Sequence, residues 1–366
     1  MKTRILAALL VLAMAFSLAA CGGSTGSVSS GSTSGSTSAA SGTSSGTSSD
    51  TSSSAADAFD KAYTWSLAST YATGTPMVEG FQKFADLLNE YSGGAITLNV
   101  FADSSLLDEN DSFLSLKSGE LEFAGYGTTP LYLYSEDYGF LMAPFLINSK
   151  EAYQNIYSSD LFQTAVKYWQ TDYNTRDLAG MAYRGFRNMS SDRPINTVDD
   201  LKSLKLRMSN NQIWCDIWNS LGATTVPIAL GELYTSIQNG AAQASEGPWE
   251  QMKSLNLDEV QDYIIETRHI CETVGIWMAE DLYESLPANY QEVIDKASQE
   301  AVAYMGDQCA AREENYKQQL IDGGCEYIQP DLSGFMTTAE GIWNDYFTNT
   351  WKSSTLDEVQ SIMSGK

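Results

Sequence analysis

Apolar residues along this chain recur with two alternating periods. Residues 63–69 read YTWSLAS, a short strand pattern. From Pro76 the spacing changes to i+4 and i+3, placing Met77, Phe81, Phe84, Leu88 and Tyr91 on one stripe. A stripe of that period, opened by proline and stopped by Gly93-Gly94, predicts an amphipathic helix. Residues 96–101 predict a second strand. Asp108 is placed to cap a short helix carrying Phe113, Leu114 and Leu116, and residues 121–124 predict a third strand. Strand, helix, strand, helix, strand implies parallel pairing through right-handed crossovers.

The same order returns downstream: strand 204–208, helix 212–221, strand 224–227, helix 231–238, strand 242–246. Two such units predict an α/β fold of two similar lobes around a cleft, with ligands held off the carboxyl ends of the strands. A third pattern runs over 287–322, where Tyr290, Ile294, Ala297, Ala301, Met305, Cys309, Tyr316 and Leu320 form a near-helical stripe before Gly323-Gly324. A helix of that length spans roughly 54 Å, more than one lobe, and would tie the two together.

The chain begins differently. Lys2 and Arg4 precede an apolar run from Ile5, closed by Leu18-Ala19-Ala20-Cys21. An ordinary signal peptide, a membrane anchor and a lipoprotein signal all start this way. The run is short for a span, and small residues before a cysteine favour a lipobox over 1–21, with Cys21 lipidated. Residues 22–56 contain 29 Gly, Ser or Thr among 35, a composition that forms a flexible tether with a reach of roughly 30–35 Å. Together they predict a globular module lipid-anchored to the outer side of the cell membrane, at the cell surface or in a periplasm.

Charge and chemistry narrow the class. Without Lys2 and Arg4, 19 basic residues face 46 acidic ones, a formal −27, which argues against nucleic acid. Beyond Cys21 there are four cysteines, Cys215, Cys271, Cys309 and Cys325, with no CxxC spacing, and the expectation is buried free thiols. His269 is the sole histidine, so no metal site is called for. No GxSxG, P-loop or GxGxxG precedes a helix, so no cofactor is expected, and no carboxylate pair stands out.

Several blocks carry a family resemblance: DLKSLKLR, then LGATTVP, GELYTSIQNG and SEGP, with SGELEFAGYGTTPLY and FLMAPFLINSKEAY upstream and NLDEVQDYIIETRHI downstream. In this order and spacing, over roughly residues 60–330, the chain resembles the substrate-binding proteins of TRAP (tripartite ATP-independent periplasmic) transporters, the DctP-like family. The resemblance implies a two-lobed, class II periplasmic-binding-protein-like fold with a long spine helix. Lobe I would take 57–185 plus roughly 273–312, and lobe II 186–272 plus roughly 313–366. It implies a monomeric solute receptor rather than an enzyme. The receptor would capture a small organic acid and deliver it to membrane permease subunits. An ABC-type binding protein and a surface enzyme acting on glycans, the latter suggested by 20 Tyr and 8 Trp, are the rival readings.

The same resemblance implies residue roles. Arg207, at a strand end, would form the salt bridge to the ligand carboxylate, a task suited to a planar fork of donors. Arg187 matches a second family arginine, with Arg184 and Arg193 as nearby competitors. Glu246-Gly247-Pro248 stands where the family has Glu-Asn-Pro, so Gly247 brings no side-chain amide. Glu232 follows the LGA block near a helix start, and Leu230 replaces a common aromatic. Trp214 and Trp249 flank these motifs as stacking or packing residues. Tyr126 and Thr128 are placed in the cleft by position alone.

Overall fold

The computed structural model describes residues 59–127 and 135–366; Cys21, the tether and Thr128 lie outside the described residues. In chain order the elements are β1 (Tyr63–Ala68), α1 (Pro76–Tyr91), β2 (Ile96–Phe101), α2 (Glu109–Ser118), β3 (Phe123–Tyr126), α3 (Lys150–Tyr157), α4 (Asp160–Tyr173), β4 (Thr175–Asp177), β5 (Ala182–Ser191), β6 (Lys205–Met208), α5 (Gln212–Ser220), β7 (Thr224–Pro227), α6 (Leu233–Gln238), β8 (Ala244–Gly247), α7 (Trp249–Ser254), β9 (Tyr263–Ala279), α8 (Glu280–Ser285), α9 (Ala288–Asp322), β10 (Glu326–Ile328), α10 (Ser333–Asn349) and α11 (Leu356–Met363).

Two parallel trios form the halves, β2-β1-β3 and β8-β6-β7, as the repeated strand–helix order predicts. Between them run β9 and β5, antiparallel to each other, so the strand order is β2-β1-β3-β9-β5-β8-β6-β7. β9 is 17 residues long and pairs with β3 near its end and with β10 near its start, serving both halves. The mixed α/β, two-lobed architecture therefore has both lobes built on a shared pair of strands.

Local chemistry accounts for most boundaries. α1 starts with Pro76 after the extended Thr75, and its stripe Met77, Phe81, Phe84 and Leu88 is fully buried. α2 is capped by Asp108, whose carboxylate accepts from Asp111 N at 2.8 Å, and ends at Gly119 in the left-handed region. α9 spans 35 residues, about 52 Å, and packs on both α1 and β5. Arg312 on α9 holds Glu79 on α1 with two hydrogen bonds of 2.9 and 2.7 Å.

Three expectations shift. The third strand lies at Phe123–Tyr126, because the helix before it runs to Ser118 and the Gly119 turn delays extension; Tyr126 is consequently a strand residue. The helix predicted over 231–238 splits into a 3₁₀ turn, Leu230–Glu232, and α6. Of the four cysteines, Cys271, Cys309 and Cys325 are buried and free, whereas Cys215 on α5 is free but only half-buried. Among the described residues no helix is long and apolar enough to cross a membrane.

Candidate functional site

A cavity of about 480 Å³ opens between the two strand trios. Residues after β1 (Thr70, Tyr71) and at the start of α2 (Asp108, Glu109, Asn110) line one side. Arg207 and Ser209 at the end of β6, Trp214 on α5 and the 227–231 segment after β7 line the other. These are loops and helix starts beyond strand carboxyl ends, where parallel α/β folds hold ligands. The floor comes from the shared strands: Arg184 and Arg187 on β5 and Glu272 on β9. Residues three apart on a regular strand face opposite ways. Here the β5–β9 register shifts between Tyr183 and Gly185, and Gly185 has φ +124°, so both arginines reach the same cavity.

Arg187 is largely engaged by the protein. Its Nε donates to Glu246 Oε2 at 2.5 Å, its Nη2 to Glu246 Oε1 at 2.6 Å, and its Nη1 to Glu272 Oε2. Its guanidinium also lies 4.6 Å from the Trp214 ring centre. Burial opposes its charge, but the two carboxylates prevail and hold its pKa above the ordinary arginine value. Burial likewise resists charge on Glu246. Arg187 and His269 overcome this and bring the carboxyl down to about 2. His269 lies 3.2 Å from Glu246 through Nε2 and 2.8 Å from Thr267 Oγ1 through Nδ1. A neutral ring protonated on Nε2 satisfies both contacts, consistent with the burial that lowers its pKa. Arg184 pairs with Glu250 at 3.1 Å and stacks 4.2 Å over Tyr71.

Arg207 differs from both. It is 2% exposed, and its Nε donates to Ile228 O at 2.9 Å. Among the described residues no carboxylate lies within ion-pair distance of it. Burial pulls its pKa down to about 10, with Glu246 opposing and Arg187 assisting, so it remains charged at neutral pH. A buried cation without a counter-ion is costly, and a carboxylate entering the cavity would supply one.

The sequence-derived candidates therefore separate. Arg207, Arg187 and Trp214 line the cavity, with Trp214 packed on Arg187 and its Nε1 bonded to Met142 O at 2.7 Å. Glu246 lies behind Arg187 rather than on the wall, fully buried between Arg187, which takes both its oxygens, and His269, which contacts Oε2. Gly247 is off the wall because the Gln251 carboxamide stands in front of it: a Cβ at 247 would meet Gln251 Nε2 at 2.3 Å. Tyr126 points into the core, sharing a 2.9 Å hydrogen bond with Ser112. Trp249 is buried in the core under α6 and α7, and Glu232 is solvent-exposed in its 3₁₀ turn. The residues that sequence patterns did not single out are Tyr71, Glu109, Gln251 and Glu272. Each sits in an ordinary helix start, strand or loop, and only long-range packing brings it to the cavity.

Over residues 67–350 the chain matches the family described as bacterial extracellular solute-binding protein, family 7. The chain belongs to that family. A solute-binding protein of Roseobacter denitrificans is 28% identical over 70% of this chain and 79% of its own length. The C4-dicarboxylate-binding periplasmic protein DctP of Rhodobacter capsulatus is 26% identical over 69% of this chain and 76% of its own. A crystal structure of a TRAP periplasmic solute-binding protein from Roseobacter denitrificans with bound L-galactonate superposes with a TM-score of 0.77 at 24% identity. It covers 82% of this chain and 99% of that one. Family membership places the chain among extracytoplasmic TRAP receptors and favours that reading over an ABC-type protein or a glycan-acting enzyme.

Proposed function

We propose that this solute-binding protein captures a small organic acid in the cavity, closes over it and delivers it to the membrane permease subunits of a TRAP transporter. The observation that carries the reading is Arg207, a buried guanidinium facing the cavity with no carboxylate paired to it among the described residues. The ligand carboxylate takes a two-point hydrogen bond from it. Arg187, held by Glu246 and Glu272, stiffens the floor. Closure follows because the ligand touches residues of both halves at once and so binds the closed state better than the open one. The moving bodies are lobe I, 57–185 plus roughly 273–312, and lobe II, 186–272 plus roughly 313–366, with α9 crossing from one to the other. The monomer works from a lipid anchor at Cys21 through the 22–56 tether.

A thermal-shift screen over sugar acids, keto acids and dicarboxylates tests the capture, because ligand binding raises stability by mass action. A stabilising acid whose effect disappears in Arg207→Ala supports the reading. A screen in which no organic acid stabilises the wild type sinks it. The anchor is tested separately: Cys21→Ser should release the protein from the membrane fraction, and retention there removes that part of the proposal.

A further inference from the structure

The charges around the cavity are almost all matched within the protein. Arg184 has Glu250, and Arg187 has Glu246 and Glu272. Asp108 is engaged in capping α2. Among the described residues two charged side chains on the wall are left over, and they have opposite signs and sit on opposite sides. One is Arg207 on β6. The other is Glu109, the first residue of α2, half-buried, whose carboxyl has no hydrogen-bond or ion-pair partner among the described residues.

This placement constrains the ligand. Three guanidinium groups (Arg184, Arg187, Arg207) stand on or beside the wall with five carboxyl groups (Asp108, Glu109, Glu246, Glu250, Glu272), so among the described residues no cation remains for a second ligand carboxylate. A dianion anchored on Arg207 would bring its far carboxylate toward Glu109, and like charges in a half-buried site repel. Hydroxyl groups at the same place would donate to Glu109 in charge-assisted hydrogen bonds.

Resting on the capture reading above, we propose that Glu109 is a specificity-determining residue that makes this cavity select polyhydroxy monocarboxylates over dicarboxylates. Arg207 binds the single carboxylate and Glu109 accepts from the hydroxyls across the cleft. Because the two residues lie on opposite sides, a ligand satisfying both also draws the halves together.

Matched acids test this by calorimetry on the purified full chain. L-galactonate and galactarate share a carbon skeleton and differ only in a terminal hydroxymethyl or carboxylate; D-erythronate and meso-tartrate form a second pair. The wild type should bind at least one monoacid tenfold or more tighter than its diacid. Glu109→Gln should shrink that ratio to about threefold or less, mainly by strengthening diacid binding, while Glu109→Asp keeps it. A second measurement needs no variant. Glu109 is pushed up to about 7 by burial and by Glu272 on β9, against the pull of Arg184 and Arg187 on β5 and Arg207 on β6. Tyr71 on the wall and Tyr126 in the core behind it are near enough to feel its charge. Lowering the pH from 8 to 6 adds a proton to Glu109 and should narrow the wild-type ratio. Diacids binding as tightly as monoacids, or a ratio unmoved by both Glu109→Gln and pH, overturns the proposal and leaves capture standing. If neither pair binds but another acid from the screen does, this proposal alone falls. If no acid binds at all, capture falls with it.

Discussion

Arg187 and Glu246 face each other across β5 and β8 as a two-point pair, with Nε–Oε2 at 2.5 Å and Nη2–Oε1 at 2.6 Å. That pairing decides which arginine is left for a ligand. With Arg187 occupied by Glu246 and Glu272, the guanidinium still seeking a counter-ion is Arg207.

Arg207→Ala should therefore weaken binding of the acid found by screening by about 2–5 kcal/mol, with the fold retained. Calorimetry with a circular-dichroism control measures it. Affinity within threefold of the wild type would remove Arg207 from the site.

Glu246 makes acid stability a separate readout. Its folded pKa of about 2 lies below the ordinary value of 4.5, so it contributes stability above pH 4.5 and loses it as pH falls toward 2. Glu246→Gln should cost roughly 3–5 kcal/mol near pH 7, because it strips a buried pair of its charge. It should also flatten the acid limb of the stability profile. Urea midpoints from pH 3 to 7 check both effects; a mutant with the wild-type acid slope would show that the pair does not govern it.

Gly80 sets the approach of α1 to α9. A Cβ there would lie 1.9 Å from Met305 Cγ. Overpacking outweighs the gain in helix propensity, so Gly80→Ala should destabilise by roughly 1–2 kcal/mol. In a Met305→Ala background the same change should be neutral or stabilising. Equal penalties in both backgrounds, by denaturant unfolding, would contradict this contact.

Gly247 and Gln251 predict the opposite balance. The atom that a new Cβ would meet is the end of the Gln251 side chain, which can swing aside. Gly247→Ala should then cost under about 1 kcal/mol of stability. It should change affinity for the screened acid severalfold, because Gln251 lines the cavity. Unchanged affinity in both Gly247→Ala and Gln251→Ala would place this carboxamide outside recognition.

The periodic part of the chain determined its own local structure. The α1 stripe, the Asp108 cap, the parallel trios and the long α9 all follow from spacing, capping and glycine stops, which act over a few residues. The place of Arg207 near the cleft was expected from the family blocks around it, since a strand end alone did not separate it from Glu246 or Tyr126, which lie off the wall. Tertiary structure alone decided the rest. β5 reads AYRGFRNMSS, with no apolar alternation, yet every residue in it is buried, because β8 and β9 pair with it on either side and helices cover its faces. Only that arrangement brings Glu246 and Glu272, 59 and 85 residues away, onto Arg187. The charge left unmatched in a cavity depends on such distant pairings, and linear spacing does not encode them.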